Sequence, residues 1–190
     1  MNSAIIVRNR PSIVIIQFNR PEIRSPLSVF VLDELHALLA RVIAEKQSII
    51  FTGKDDCFAS GADLREIAAL TSERAHEFAI YGQSLMNKIS AANAIAAVNG
   101  FCFGGALDLA LACKTRIAAP TAQFSHPGAN LGIMTGWGGT QRLPRLVGQG
   151  IALEMFFTAK RVSALEALKI GLIDRISINP LETALELLAE

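Results

Sequence analysis

The stretch N-G-F-C-F-G-G-A-L-D, residues 99–108, decides the reading of this chain. Gly104 and Gly105 stand between a short apolar segment and a helical pattern, so bare backbone NH groups are presented where a helix begins. The first-turn NH groups of a helix lack intrahelical acceptors, and the positive end of the helix dipole adds to their pull. Such a place favours an anion, or a carbonyl oxygen that gains negative charge during a reaction. Taken alone, a Gly-Gly pair reads more readily as a device for close packing. A second segment of the same kind, F-A-S-G-A-D-L at residues 58–64, changes that balance. It follows an apolar strand pattern, opens a short helical turn and flanks Gly61 with small residues. Ligands of open α/β sheets gather at the carboxyl ends of strands. One NH from the Ala62 region and one from Gly105 then form a two-pronged oxyanion hole, suited to a thioester carbonyl that becomes an enolate or a tetrahedral oxyanion.

Outward from these segments, strand and helix patterns alternate. Residues 4–7 and 13–18 read as a hairpin around an Asn-Arg-Pro turn. Ser25 and Pro26 read as an N-cap followed by proline at the first helical position, opening a helix that ends near Lys46. Residues 48–52 form a buried strand closed by Gly53, 71–92 a long amphipathic helix, 95–98 a strand, and 115–119 another. The alternation predicts a largely parallel sheet with helices on its faces. Beyond residue 119 come a segment near Phe124, a glycine-rich loop at 132–139, helical stretches from Thr140, Ile151 and Ala164, and a last helix at 180–189.

A chain of 190 residues, 51% hydrophobic, buries one substantial core. Its net charge of +1, with acids and bases interspersed, gives no footprint for nucleic acid or an anionic membrane. The apolar stretches are too short and interrupted to span a bilayer. Cys57, Cys102 and Cys113 are odd in number and lack metal-ligand spacing, and no basic-then-apolar leader precedes them. The expected setting is a reducing cytoplasm, with the cysteines as small apolar filler.

Four motifs in order carry a family resemblance: N-R-P-E-I-R-S-P-L-S at 19–28, F-A-S-G-A-D-L at 58–64, N-G-F-C-F-G-G-A-L-D-L-A at 99–110, and G-W-G-G-T-Q-R-L-P-R at 136–145. With them the chain resembles the crotonase family, also called the enoyl-CoA hydratase/isomerase family, over residues 4–175. The resemblance implies an α/β fold with a ββα spiral core in residues 1–175 and a short C-terminal helix in 176–190. It implies acyl-CoA substrates, no cofactor beyond the coenzyme A of the thioester, no metal, and a homotrimer or dimer of trimers. Ala62 and Gly105 match the oxyanion-hole positions. Ile23 and Arg24 match the loop at the adenine end of coenzyme A, and Ser60, Asp63, Leu64 and Arg65 follow the same groove. Arg24 and Arg65 are also suited to phosphates. Thr135 and Trp137 are candidates for the acyl pocket, Trp137 also for packing at the loop base.

Two departures stand out. Hydratases of the family carry two glutamates, and here their positions hold Asp108 and Gly128, the latter in F-S-H-P-G at 124–128. Proton transfer needs heavy atoms within about 2.6–3.2 Å, directly or through one water. Asp108, one methylene shorter, is the expected proton carrier through a water, whereas Gly128 can do no proton chemistry. His126, two residues from the vacant position, is a candidate stand-in. The family chain also continues with further helices past the segment matched by 171–176. Here a neighbouring subunit covers the site, the site is more open, or the sequence is a piece of a longer chain.

The leading expectation is an enoyl-CoA hydratase/isomerase-type enzyme that holds a thioester enolate at Ala62 and Gly105. A decarboxylase or thioester hydrolase on the same scaffold, and a non-catalytic acyl-CoA-binding protein, are the alternatives. A Clp-type peptidase lacks its serine, since Ala106 and Leu107 stand after the glycine turn. Gly100, Gly104 and Gly105 fit neither a dinucleotide fingerprint nor a phosphate-binding P-loop.

Overall fold

Alternation between two sheets organises this chain, whose computed structural model describes residues 3–189. β1 (Ile5–Asn9) and β2 (Ile13–Phe18) form the hairpin, and α1 (Val29–Ala44) follows. Then come β3 (Ser48–Thr52), β4 (Cys57–Ala59), α2 (Leu64–Ala68) and α3 (Ser72–Ala91); β5 (Ala94–Val98), β6 (Phe101–Phe103) and α4 (Gly105–Ala112); β7 (Thr115–Ala118) and β8 (Gln123–Ser125). The chain closes with α5 (Gly139–Val147), α6 (Gln149–Thr158), β9 (Val162–Ser163), α7 (Ala164–Lys169), β10 (Arg175–Ile176) and α8 (Pro180–Ala189). The larger sheet runs β1-β2-β3-β5-β7-β10, parallel after the first pair, and the smaller one runs β4-β6-β8-β9. Each ββα turn therefore lays one strand in each sheet, as a ββα spiral requires.

The expected single sheet is thus two sheets. Strands of three residues, β4, β6 and β8, are too short to show an alternating pattern, and only their pairing identifies them. β8 is the segment near Phe124, whose ring is fully buried. The first long helix begins later than expected. Ser28, not Ser25, caps α1 by accepting from the Val31 NH, because Leu27 is drawn into an extended bridge to Ala62 and its NH bonds the Gly61 carbonyl at 2.8 Å.

Burial on both faces explains the apolar runs of β3 and β5. One face of the large sheet meets the main core; on the other, Ile13, Ile15, Ile50, Ile95 and Ile117 pack with Ala184 and Leu185 of α8. Crossing from one sheet to the other takes tight corners. A Cβ at residue 100 would lie 1.8 Å from the Asp56 carbonyl oxygen, so only glycine fits between β5 and β6. Asn99 beside it fastens the neighbouring corner. Its Oδ1 accepts from the Gly53 NH at 2.8 Å, and its Nδ2 donates to the carbonyls of Asp55 and Cys57. Asn99→Ala strands these groups and is expected to lower unfolding free energy by about 2 kcal/mol, read from urea denaturation.

Candidate active site

The carboxyl ends of β4, β6 and β8 lie side by side, and each delivers part of one site. Ala59 pairs with Cys102, and Phe103 with Ser125, in parallel register. The next few residues of each strand are consequently neighbours: Gly61 and Ala62, Gly104 and Gly105, His126. The two glycine-rich segments sit one strand later than their sequence context suggested, at the ends of the small sheet. Gly61 and Gly104 both take positive φ, at 86° and 55°, which turns the chain sharply at each strand end. A Cβ at residue 61 would come within 2.5 Å of the Gly105 nitrogen, so the two turns touch. Gly105 begins α4, and its NH, like that of Ala62, has no main-chain acceptor among the described residues. Both residues line one cavity of about 270 Å³.

That cavity is largely apolar. Leu64 and Ile67 of α2, Phe78 of α3, Ile133 and Met134 of the glycine-rich loop, Trp137 and Phe156 form its walls, with Ser60, His126 and Thr135 among them. Composition alone could not separate these wall residues from core, because both are apolar. Trp137 serves as wall and wedge together. Its indole occupies the space a Cβ would need at Gly82 of α3 or at Gly105 of α4, and its ring centroid is 5.5 Å from that of Phe78.

Asp108 is placed differently from the expectation. It is fully buried on α4 and is not among the residues lining the cavity. The Thr135 hydroxyl donates to its Oδ2, and Oδ1 lies 3.5 Å from His126 Nε2 without an aligned hydrogen bond. Burial pushes the carboxyl up to about 7, against the opposing pull of Thr135, the Arg142 charge and the main chain at Trp137 and Gly139. His126 is 3% exposed, with its ring centroid 5.0 Å from that of Phe156 and neither ring nitrogen hydrogen-bonded. Burial pushes its pKa down to about 4, so the ring is neutral near pH 7. Residue 128 is closed to any side chain in this backbone: a Cβ there would lie 2.4 Å from the Ile133 carbonyl oxygen.

The remaining candidates lie before the Leu27–Ala62 bridge and at the start of α2. Ile23 and Arg24 are exposed on the turn before the Leu27–Ala62 bridge, with Arg24 at φ 61°. Leu64 is 53% exposed and both lines the cavity and faces outward. Asp63 caps α2 by accepting from the Arg65 NH, and it grips the Arg65 guanidinium through both oxygens. Arg65 is therefore tethered to the cap of its own helix, and its head does not reach into the cavity.

The Asp108 carboxyl holds its proton more tightly in the folded chain, near 7, than at its ordinary value of 3.8. Its contribution to folding is thus fully present below pH 3.8 and is lost as pH rises through about 7. Asp108→Asn removes this dependence, while the opposite contribution of His126 is common to both chains. The melting temperature of the variant relative to the parent is expected to rise steadily from pH 4 to 7 and level off above, read by thermal unfolding across that range.

Comparison with known proteins agrees with this geometry. The sequence model of the family described as enoyl-CoA hydratase/isomerase matches residues 8–187. The short-chain-enoyl-CoA hydratase of Clostridium acetobutylicum is 34% identical over 183 residues, spanning 94% of this chain and 70% of that protein. The crotonyl-CoA hydratase of Syntrophomonas wolfei is 39% identical, spanning 90% and 68%. Among solved structures, an enoyl-CoA hydratase from Bacillus anthracis superposes with a TM-score of 0.90 at 36% identity, over 97% of this chain and 75% of that one. DspI of Pseudomonas aeruginosa superposes at 0.92 with 32% identity, over 99% and 80%. Fold, motif order and sequence agree, and the chain belongs to the enoyl-CoA hydratase/isomerase family.

Proposed function

We propose that this enzyme of the hydratase/isomerase type adds water across the double bond of a 2-enoyl-CoA thioester, holding the enolate oxygen with the NH groups of Ala62 and Gly105. The observation that carries this reading is the contact of the Gly61 and Gly105 turns at an apolar cavity, with both following NH groups free of main-chain acceptors. Fixed NH dipoles aimed at a developing oxyanion need no reorganisation when charge appears, and each is worth roughly a hundred- to a thousandfold in rate. The apolar walls suit the acyl chain, and the exposed Ile23, Arg24, Leu64 and Arg65 suit the nucleotide end of coenzyme A. With Arg65 already gripped by Asp63, Arg24 is the better phosphate partner of the two.

A homotrimer or dimer of trimers belongs to the same reading, and exposed Leu153, Phe157 and Leu165 offer apolar surface for subunit contact. A reducing cytoplasm is consistent with three buried, free cysteines, and no helix among the described residues is long and apolar enough to cross a membrane. Non-catalytic acyl-CoA binding is the second reading, favoured by Gly128 and the lack of room there for any side chain.

Hydration of crotonyl-CoA, followed by loss of the enoyl-thioester absorbance, tests the proposal. Gly105→Pro deletes one donor but also brings a Cβ against Trp137, so Ala62→Pro, at a position that already carries a Cβ, is the cleaner deletion. Each is expected to lower kcat/KM by about 10²–10³. Unchanged turnover in a folded Ala62→Pro chain would remove the oxyanion assignment. Tight binding of crotonyl-CoA without turnover by the parent chain would favour the binder instead.

A further inference from the structure

We propose that His126 is the group that moves the substrate proton, and that Asp108 acts behind it as a positioning residue. The inference rests on the enoyl-CoA hydration proposed above, and it assigns the proton transfer that Gly128 cannot perform. Three observations carry it. His126 directly follows β8, whose end is paired with that of β6, and the Gly104 NH bonds the Ser125 carbonyl at 2.9 Å; the imidazole is therefore the next neighbour of the Gly104–Gly105 turn. It lines the cavity, whereas Asp108 does not. Finally, the ring is 3% exposed yet neither nitrogen is hydrogen-bonded, an arrangement that costs stability unless a ligand group completes it.

The chemistry needs only one proton-carrying group. Nε2 faces Asp108 Oδ1 at 3.5 Å, and Nδ1, buried and unpartnered, is the nitrogen left to take a proton. A neutral imidazole accepts a proton from water at Nδ1 while the water oxygen bonds to Cβ of the enoyl group. The C=C electron pair shifts toward the thioester carbon, and the carbonyl pair moves onto oxygen, between the Ala62 and Gly105 NH groups. The imidazolium so formed faces the Asp108 carboxyl, whose Oδ2 is fixed by the Thr135 hydroxyl. It then returns the same proton to Cα as the enolate collapses. The OH of one water ends on Cβ and its hydrogen on Cα, with no oxidant, metal or second acid required. Burial favours the neutral ring that begins the cycle, and Asp108 in its ionised form, 3.5 Å away, favours the charged ring in the middle of it.

The test is steady-state hydration of crotonyl-CoA by His126→Gln, together with binding of the saturated butyryl-CoA by calorimetry and exchange of its α-protons in D2O by NMR. Expected are a fall in kcat and in the exchange rate of about 10²–10⁴, with the butyryl-CoA dissociation constant within about threefold of the parent. Added imidazole is expected to restore part of the turnover of His126→Ala, and Asp108→Asn to lower kcat more than tenfold with KM little changed. If His126→Gln does not fold, His126→Asn and the imidazole rescue of His126→Ala decide the matter. A His126→Gln chain that keeps its kcat, or that loses binding and turnover together, overturns the His126 assignment and leaves the oxyanion reading intact. A parent chain that neither hydrates crotonyl-CoA nor exchanges the α-protons overturns both.

Discussion

The contact between the turns at Gly61 and Gly105 is the constraint on which the rest depends. A Cβ at residue 61 would lie 2.5 Å from the Gly105 nitrogen, so the loop after β4 and the start of α4 hold each other in place. Parallel pairing of β4 with β6 sets the height of both turns, and the bridge from Leu27 to Ala62 fixes the loop from its other side. The small sheet is built of very short strands, although Phe58 and Phe124 on them are fully buried. It serves as a frame that aligns strand ends, and it is held by the corners that tie it to the large sheet, such as the one fastened by Asn99.

Around that frame the interior is asymmetric in polarity. α4 is buried all round after its first residue, and its Ala and Leu side chains join the main core where the helix packs against α3, α5 and β6. Asp108 is the exception on that helix. Its carboxyl and the His126 ring are buried groups with unpartnered atoms, and such groups raise the energy of the folded state. The chain tolerates them where the surrounding geometry is over-determined. Trp137 is wedged between α3 and α4, Gln83 holds the Gly136 carbonyl, and Arg142 spans from the Trp137 carbonyl to Asn87. A site that moves a proton, as proposed for His126, needs groups that are not already satisfied. Stability given up at Asp108 and His126 is consistent with that need.

Much of the fold was legible along the chain. β2, β3 and α8 lie where their patterns placed them, and α3 falls within residues 71–92 as its amphipathic pattern implies. The readable elements share one property: they are long enough for a period of 2 or 3.6 to repeat. β4, β6 and β8 are not, so the second sheet was invisible although the motifs flanking it were recognised. The start of α1 was misplaced for a different reason. Ser25-Pro26 is a good local start signal, but the tertiary bond from Leu27 to Gly61 keeps that stretch extended and passes the cap to Ser28.

The same division runs through the site. Sequence by itself singled out Gly61, Gly104 and Gly105 as the places where bare backbone is presented, the feature from which the carbonyl-binding proposal starts. It also determined that residue 128 lacks an acid, since the absence of a side chain is a fact of composition. Only the tertiary structure decided that Asp108 lies behind Thr135 and not against the cavity, and that His126 stands in front of it. Those positions depend on the parallel register of β6 with β8 and on the course of the glycine-rich loop. Both are set by contacts between residues distant in the chain, which no local pattern encodes.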